Sequence, residues 1–375
     1  MIVSYKIVSK VAHANMPALD EDAQKLSHFE FWPQWLFYAP VILWWLWLSL
    51  RYGGLMRPMA ANPGFPNGGF AGESKTLVLK RFGPRARASL APFVRYGTKA
   101  RLESQADQAQ TAIEQARAAN LDYPLVAKPD IGCRGAGVKV VRTDADLERY
   151  IASFPQEADV ILQQLADAPG EVGVFYVRHP QEDMGRLFSM TLKYFPHVIG
   201  NGRDTLRQLI LADPRASQLP HLYMDRNKAR LDQVIPAGEE VRIAFAGSHS
   251  KGAIFRDGRP YITDELTRAI DRIARDIDGF YIGRFDIRFA DFEALRQGRD
   301  FTIIEVNGAG GEATHIWDSR MTLREAYHDL YEQFRMLFEI GQENRRRGAP
   351  ATSLLEFYRA WRHEQKLVRG YPETD

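Results

Sequence analysis

Near the C-terminal end of the chain, apolar and polar residues twice alternate with the period of two that a strand with one covered face requires. In GRFDIRF, residues 283–289, Phe285, Ile287 and Phe289 fall on one side and Arg284, Asp286 and Arg288 on the other. In FTIIEVN, residues 301–307, Glu305 and Asn307 share a face while Ile304 and Val306 point to the core. The polar run ADFEALRQGRD connects the two strands. Just upstream, residues 264–277 set Leu266, Ala269, Ile270, Ile273 and Ile277 on one stripe, which predicts an amphipathic surface helix. Earlier still, 104–119 reads as a helix, PLVAK (124–128) as a strand, 132–137 as a glycine-rich turn, VKVV (138–141) as a strand and 144–154 as a helix. VILQQL (160–165), GVFYV (173–177) and FSMTLKYF (188–195) are further strands. Helices mixed with strands in this order predict an α/β, more narrowly α+β, protein.

The N-terminal region breaks the pattern. Phe31 to Leu50, FWPQWLFYAPVILWWLWLSL, holds no charge and five of the chain's seven tryptophans. Twenty helical residues rise about 30 Å, the thickness of a hydrocarbon core. Pro33, Gln34 and Pro40 make a poor uninterrupted span, and tryptophan prefers the bilayer interface. The segment therefore reads as a membrane-embedded or interfacial anchor in preference to a buried aromatic helix, with spanning, lying on and avoiding the membrane all left open. Acids precede it, and Arg51 and Arg57 follow it, so a spanning segment would leave the C-terminal part in the cytoplasm, and the expected location is cytoplasmic, at the inner face of the membrane.

Composition adds exclusions. The chain has 375 residues, 45% of them hydrophobic and 26% charged, enough for two or three packed units. A net charge of +2 offers no general field for nucleic acid, so none is expected as a partner. One cysteine, Cys133, rules out an internal disulfide and a thiolate metal cluster. It lies in the glycine-rich turn with no assigned histidine base, and is read as loop filler.

Two constellations carry chemistry. If the 284–289 and 301–307 strands pair antiparallel, Asp286 meets Glu305 and Asn307, a set of hard oxygen ligands suited to Mg²⁺, with Mn²⁺ as an alternative ion. The bland reading is strand charges neutralised by neighbouring arginines. In YPLVAKPDIGCRGAGVKVV, Lys128 ends a strand, and Gly132, Gly135 and Gly137 bracket a turn whose small residues let backbone N–H groups approach an anion. Neither a P-loop nor a dinucleotide fingerprint is present.

Lysine-proline before a glycine-rich loop, then the RxD strand, then the ExN strand, resembles the ATP-grasp superfamily over roughly residues 73–340. VIGNGRDTLRQLI (198–210) resembles a segment of its carboxylate-amine ligases, the branch of cyanophycin synthetase and D-alanine–D-alanine ligase. The resemblance implies two α/β subdomains gripping ATP, with ATP and Mg²⁺ as cofactors. Within it Lys128 reaches the phosphates, residues 132–137 close over them, and Gln163, Gln164 and Leu165 form the hinge that reads adenine. Lys75 matches an earlier phosphate-contacting lysine, and Glu171 an acid near ribose or substrate. Asp286, Glu305 and Asn307 match the metal ligands, and Arg284 the arginine before the first of them. Arg288, on the same strand face, is expected to stabilise an oxyanion or hold an acceptor carboxylate. Lys193 and Arg178 are further anion-binding candidates, and His249 and His315 are expected to line the substrate side. Gln163 stands where many members carry Glu, and the aromatic N-terminus replaces the usual soluble domain.

The expected units are 1–60, an aromatic membrane-associated segment; 61–120, a reduced leading domain; 121–200, the small subdomain; 201–340, the large subdomain with the metal site; and 341–375, a helical, solvated tail that includes Arg345, Arg346 and Arg347. The expected reaction is ATP-dependent C–N bond formation between a small carboxylate and an amine, one of them lipid-linked or membrane-proximal. The alternatives are an ATP-grasp kinase and a membrane-tethered ATP-binding pseudoenzyme. The assembly state is open and admits a homodimer.

Overall fold

A computed structural model describes residues 13–19, 26–97, 105–132, 135–244, 247, 249 and 252–372. The strands are β1 (Phe93–Tyr96), β2 (Leu125–Pro129), β3 (Lys139–Val141), β4 (Val160–Gln164), β5 (Gly170–Val177), β6 (Arg186–Tyr194), β7 (His197–Ile199), β8 (Glu240–Arg242), β9 (Ile254–Asp257), β10 (Ile282–Phe289) and β11 (Phe301–Asn307). The α-helices are α1 (Gln34–Phe37), α2 (Ala39–Arg51), α3 (Lys75–Lys80), α4 (Pro84–Ala88), α5 (Gln105–Ala118), α6 (Asp144–Ser153), α7 (Leu206–Ala212), α8 (Pro220–Met224), α9 (Asp264–Arg275), α10 (Phe292–Arg296), α11 (Leu323–Arg346) and α12 (Leu354–Val368).

Two antiparallel sheets organise the chain. The first has the order β1-β4-β2-β3 and the second β11-β10-β5-β6-β9, while β7 and β8 form a separate ribbon. Helices α5 and α6 cover the first sheet, closing a core of Ile113, Leu125, Leu147, Val160 and Leu162. The second sheet is covered on both faces. Val172, Val174, Phe285 and Ile287 pack against Leu266 and Ile270 of α9. Phe175, Val177 and Ile282 pack against Met336, Leu337 and Ile340 of α11. Double coverage explains why every residue of β5 is buried. Glu171, Gly173 and Asp286 lie on the same face of the sheet as Phe175, Val177 and Ile282, and there the site is built. The sheets meet at β11: Ile303 N–H donates to Ser89 O at 2.7 Å and Ala91 N–H to Ile303 O at 3.0 Å.

Three expectations about organisation change. The small unit does not run from 121 to 200, because β5 and β6 pair with β10 and belong to the second sheet. Part of the leading 61–120 region belongs to the first sheet, through β1 and α5. No boundary falls at 341: α11 continues to Arg346, and Asn344 Nδ2 donates to Ala60 O and Ala61 O at 3.1 and 3.0 Å. A new helix, α12, begins only at Leu354.

The aromatic segment does not form one long helix. It splits at Tyr38 into α1 and α2, and no helix among the described residues is long and apolar enough to cross a membrane. One side of α2 packs on α11. Trp44 Nε1 donates to Tyr331 O at 3.0 Å, and the Trp45 ring lies 5.5 and 5.1 Å from those of Phe334 and Phe338.

Candidate nucleotide and metal site

Strands β10 and β11 pair antiparallel, with Asp286 opposite Glu305 and Arg284 opposite Asn307. Asp286 is buried and accepts four hydrogen bonds. Arg284 donates two, through Nε at 3.1 Å and Nη2 at 3.0 Å; Lys193 Nζ donates at 2.7 Å and Asn307 Nδ2 at 3.1 Å. Burial works to raise its pKa, but the Arg284 and Lys193 cations hold the carboxyl well below the usual range. Gly173, beside Asp286 on β5, leaves room for this cluster: a Cβ there would sit 3.1 Å from Arg284 Cδ and 3.3 Å from Asp286 Oδ1.

The β10–β11 register slips by one residue between Asp286 and Ile287. The bulged residue is Ile304. Ile303 therefore takes the core position expected of Ile304, and the Ile304 carbonyl turns out of the ladder. Lys128 Nζ donates to that carbonyl at 3.2 Å and to Gln163 Oε1 at 2.7 Å. The bulge thus brings the lysine of the first sheet onto the carboxylate strand of the second. Burial pulls the Lys128 pKa down to about 8, with Glu305 opposing the fall.

The glycine-rich turn is anchored at its base. Lys75 Nζ donates to Gly132 O at 2.7 Å, Tyr371 Oη to Ile131 O at 2.5 Å and Tyr150 Oη to Gly137 O at 2.7 Å. Gly135 and Gly137 both have φ of 69°, the left-handed region that glycine enters without strain. Cys133 lies outside the described residues. At the hinge, Gln163 turns inward to Lys128, whereas Gln164 Nε2 donates to Asp122 O at 3.0 Å and the Leu165 N–H to Pro124 O at 3.4 Å.

Glu171 has both oxygens engaged, one by Lys193 Nζ at 2.9 Å and the other by Arg288 Nη2 at 2.8 Å. Arg288 Nη1 also donates to Ala168 O at 3.1 Å, so it lies on the hinge side of Asp286. The Arg288 and Arg242 guanidiniums stand 5.3 and 3.6 Å from the centroid of the same Phe195 ring. Burial first, and Arg288 second, pull the Arg242 pKa down to about 10.

Other sequence candidates stand apart from this cluster. His315 is fully buried, with Nε2 2.7 Å from Asp329 Oδ2 on α11 and its ring edge-on to Phe188. His249 stacks on Trp317 with centroids 4.5 Å apart. Arg178 lies over Tyr281 at 4.6 Å, beside the Glu182 turn. Two residues escaped the sequence reading. Arg242, at the end of β8, lies in a segment that no motif marks. Glu73, two residues before Lys75, accepts a hydrogen bond from Gly308 N–H, and its buried Oε1 has no hydrogen-bond partner among the described residues. Burial raises its pKa to about 8, with Lys75 opposing and Glu305 reinforcing the rise. The signal for Glu73 was an acid next to Lys75 in a glycine-rich stretch, but its closeness to Gly308, far along the chain, is set by tertiary packing alone.

The residues fit a hydrated magnesium ion better than a closed protein cage. Among the described residues the Glu305 carboxylate makes no side-chain hydrogen bond, and Asn307 keeps its amide oxygen free while its nitrogen serves Asp286. No group of three His, Cys, Asp or Glu side chains placed to hold a metal occurs among the described residues. Two carboxylates and an amide leave the remaining positions for water and phosphate oxygens, as magnesium prefers. Asp286 joins such an ion only by giving up one of its four donors.

No family model matches the chain. Two curated relatives are cyanophycin synthetases. That of Trichormus variabilis (strain ATCC 29413 / PCC 7937) is 25% identical over 219 residues, covering 53% of this chain and 23% of the relative. That of Geminocystis herdmanii (strain PCC 6308) is 24% identical over 217 residues, covering 53% and 24%. The chain therefore spans about a quarter of the length of these relatives. Among solved structures, D-alanine–D-alanine ligase from Bacillus anthracis overlaps at a TM-score of 0.41 and 14% identity, covering 73% of this chain and 68% of that one, a likeness too loose to carry an argument. Over about half its length the chain is similar to cyanophycin synthetases, in the carboxylate-amine ligase branch of the ATP-grasp superfamily that its lysine-proline, RxD and ExN motifs resemble.

Proposed function

We propose that the chain binds ATP and magnesium between its two sheets and uses them to join a small carboxylate to an amine. The observation that carries this reading is the contact of Lys128 with the Ile304 bulge, which brings its ammonium to the strand of Glu305 and Asn307, where it would meet phosphate. The carboxylate oxygen attacks the γ-phosphorus of ATP, giving an acyl phosphate and ADP. The amine nitrogen then attacks the acyl carbon, the C–O bond to phosphate breaks, and the amine proton passes to solvent or a nearby base. Lys128, Lys75 and the turn at 132–137 neutralise and cover the phosphates; Arg284 and Lys193 keep Asp286 ionised. Glu305, Asn307 and Asp286 are the residues that would hold magnesium, which supplies charge neutralisation on the transferring phosphoryl group. Arg288 and Arg242, on their shared ring, offer a cationic wall at the hinge end. We place the protein in the cytoplasm, at the inner face of a membrane, in keeping with a single cysteine that allows no internal disulfide.

The test is ATP turnover with Mg²⁺ and pooled amino acids, with and without lipid extract, with hydroxylamine present as a trap. Hydroxamate together with ADP and phosphate supports the acyl phosphate. A phosphorylated hydroxyl product without amide or hydroxamate overturns ligation in favour of a kinase. Glu305→Ala is expected to lower turnover by about 10²–10³-fold, the scale of losing one electrostatic contact to the transition state, with the circular dichroism spectrum unchanged.

A further inference from the structure

Helix α2 is apolar on the side that a surface helix normally gives to water. Its inward residues Val41 and Leu48 are 4% and 0% exposed, and Trp44 and Trp45 lean on α11. On the outward side, Trp35 is 74%, Leu36 42%, Ile42 55%, Leu43 68%, Leu46 49%, Trp47 47% and Leu50 84% exposed. These positions recur every three or four residues and so form one stripe along α1 and α2. Together they expose on the order of 800 Å², more than the roughly 300–600 Å² that the largest apolar patch of a monomer reaches.

We infer that this stripe lies in the interface of an anionic lipid bilayer, in the membrane plane. Charge selects that occupant. The segment from Phe31 to Leu50 carries no charge at all, and its C-terminal end is cationic: Arg51 is exposed, with its guanidinium 5.8 Å from the Trp47 and Tyr52 rings, and Arg57 follows. A second copy docked antiparallel on the same stripe would set each Arg51 over the uncharged Pro33–Trp35 end of the other, and a parallel copy would bring the two Arg51 side chains together. Anionic headgroups meet both the charge and the apolar stripe. Tryptophan adds to this, since an indole buries its ring at acyl depth while its N–H stays among headgroups. The thirteen residues of α2 rise about 20 Å, too little to cross about 30 Å of hydrocarbon, so the helix rests on the bilayer. The inference stands on this face alone and is independent of the ligation chemistry.

Full-length protein is to be sedimented with vesicles of phosphatidylcholine, with and without phosphatidylserine. Wild type is expected to co-sediment with the mixed vesicles, more weakly at high salt. The pair Leu43→Asp and Leu50→Asp is expected to abolish binding with an unchanged circular dichroism spectrum, because both side chains are exposed. Arg51→Glu should weaken binding to mixed vesicles about five-fold or more, on a scale of about one unit charge of headgroup attraction, and leave phosphatidylcholine binding nearly unchanged. Quenching of wild-type tryptophan fluorescence by brominated lipid tests the contact with no substitution. Unquenched fluorescence, failure to bind either vesicle, or a dimer in light scattering that Leu43→Asp dissolves would each overturn the inference.

Discussion

Glu73 and Lys128 show how burial sets the state of the site before any ligand arrives. The folded chain keeps a proton on Glu73 up to about pH 8, whereas an ordinary glutamate releases it near 4.5. Its contribution to stability is therefore fully present below about pH 4.5 and is lost as the pH rises towards 8. Each tenfold change in proton affinity is worth about 1.4 kcal/mol, so the loss amounts to at most a few kcal/mol. In thermal melts of ligand-free protein from about pH 5 to 8.5, spanning that window, Glu73→Gln should flatten the alkaline fall seen in wild type; parallel curves would refute the buried acid. Lys128 has the opposite problem, since a lysine with a pKa of about 8 loses its charge where phosphate binding needs it. Gln163 Oε1 accepts its hydrogen bond at 2.7 Å, so Gln163→Glu would place a carboxylate against the ammonium. The rise in KM for ATP with alkaline pH is then expected to move to higher pH in this variant, measured by steady-state kinetics across about pH 7–10.

At the scale of elements, a bulge and a close helix contact do most of the positioning. The extra residue at Ile304 re-aims one carbonyl towards the first sheet without disturbing the pairing of Asp286 with Glu305. On the far side, α11 lies so close to the 57–60 turn that a Cβ on Gly341 would stand 2.2 Å from Arg57 O. Gly341→Ala in the interior of a long helix would ordinarily gain up to about 1 kcal/mol of helix propensity. Here the overlap is with backbone, so a net destabilisation of about 1–3 kcal/mol is expected in chemical denaturation. A more stable variant would show that the contact is looser than described.

At the scale of the whole molecule, the two sheets touch along one edge of β11, and the nucleotide would add a second bridge between them. An ATP analogue that cannot be hydrolysed, with Mg²⁺ at about 100 times its Kd, should stabilise the fold by about 2.7 kcal/mol and raise the melting temperature by a few degrees. Lys128→Met should remove most of that gain. The longer elements were legible in the sequence, because strand alternation and helical stripes are local: the stripe from Leu266 to Ile277 is buried under the second sheet as its spacing requires. The short ones, β1, β7, β8, β9 and the one-turn helix α10 inside the polar connection, carry too few residues to show a period. The closeness of Asp286, Glu305 and Asn307 was legible for the same reason, since period two puts each pair of alternate residues on one face and only the pairing of the two strands was needed. The bulge at Ile304 was not, because a slip of register depends on what the neighbouring strand and Lys128 demand. Nor were Glu73, Arg242 or the limits of the two sheets, which depend on contacts between distant parts of the chain. The sequence by itself determined the longer strands and helices and the glycine turn, since backbone preference and apolar periodicity act over a few residues. Tertiary structure alone decided which side of α2 faces outward and which charges share a buried site, because burial belongs to the packed chain and to no single segment of it.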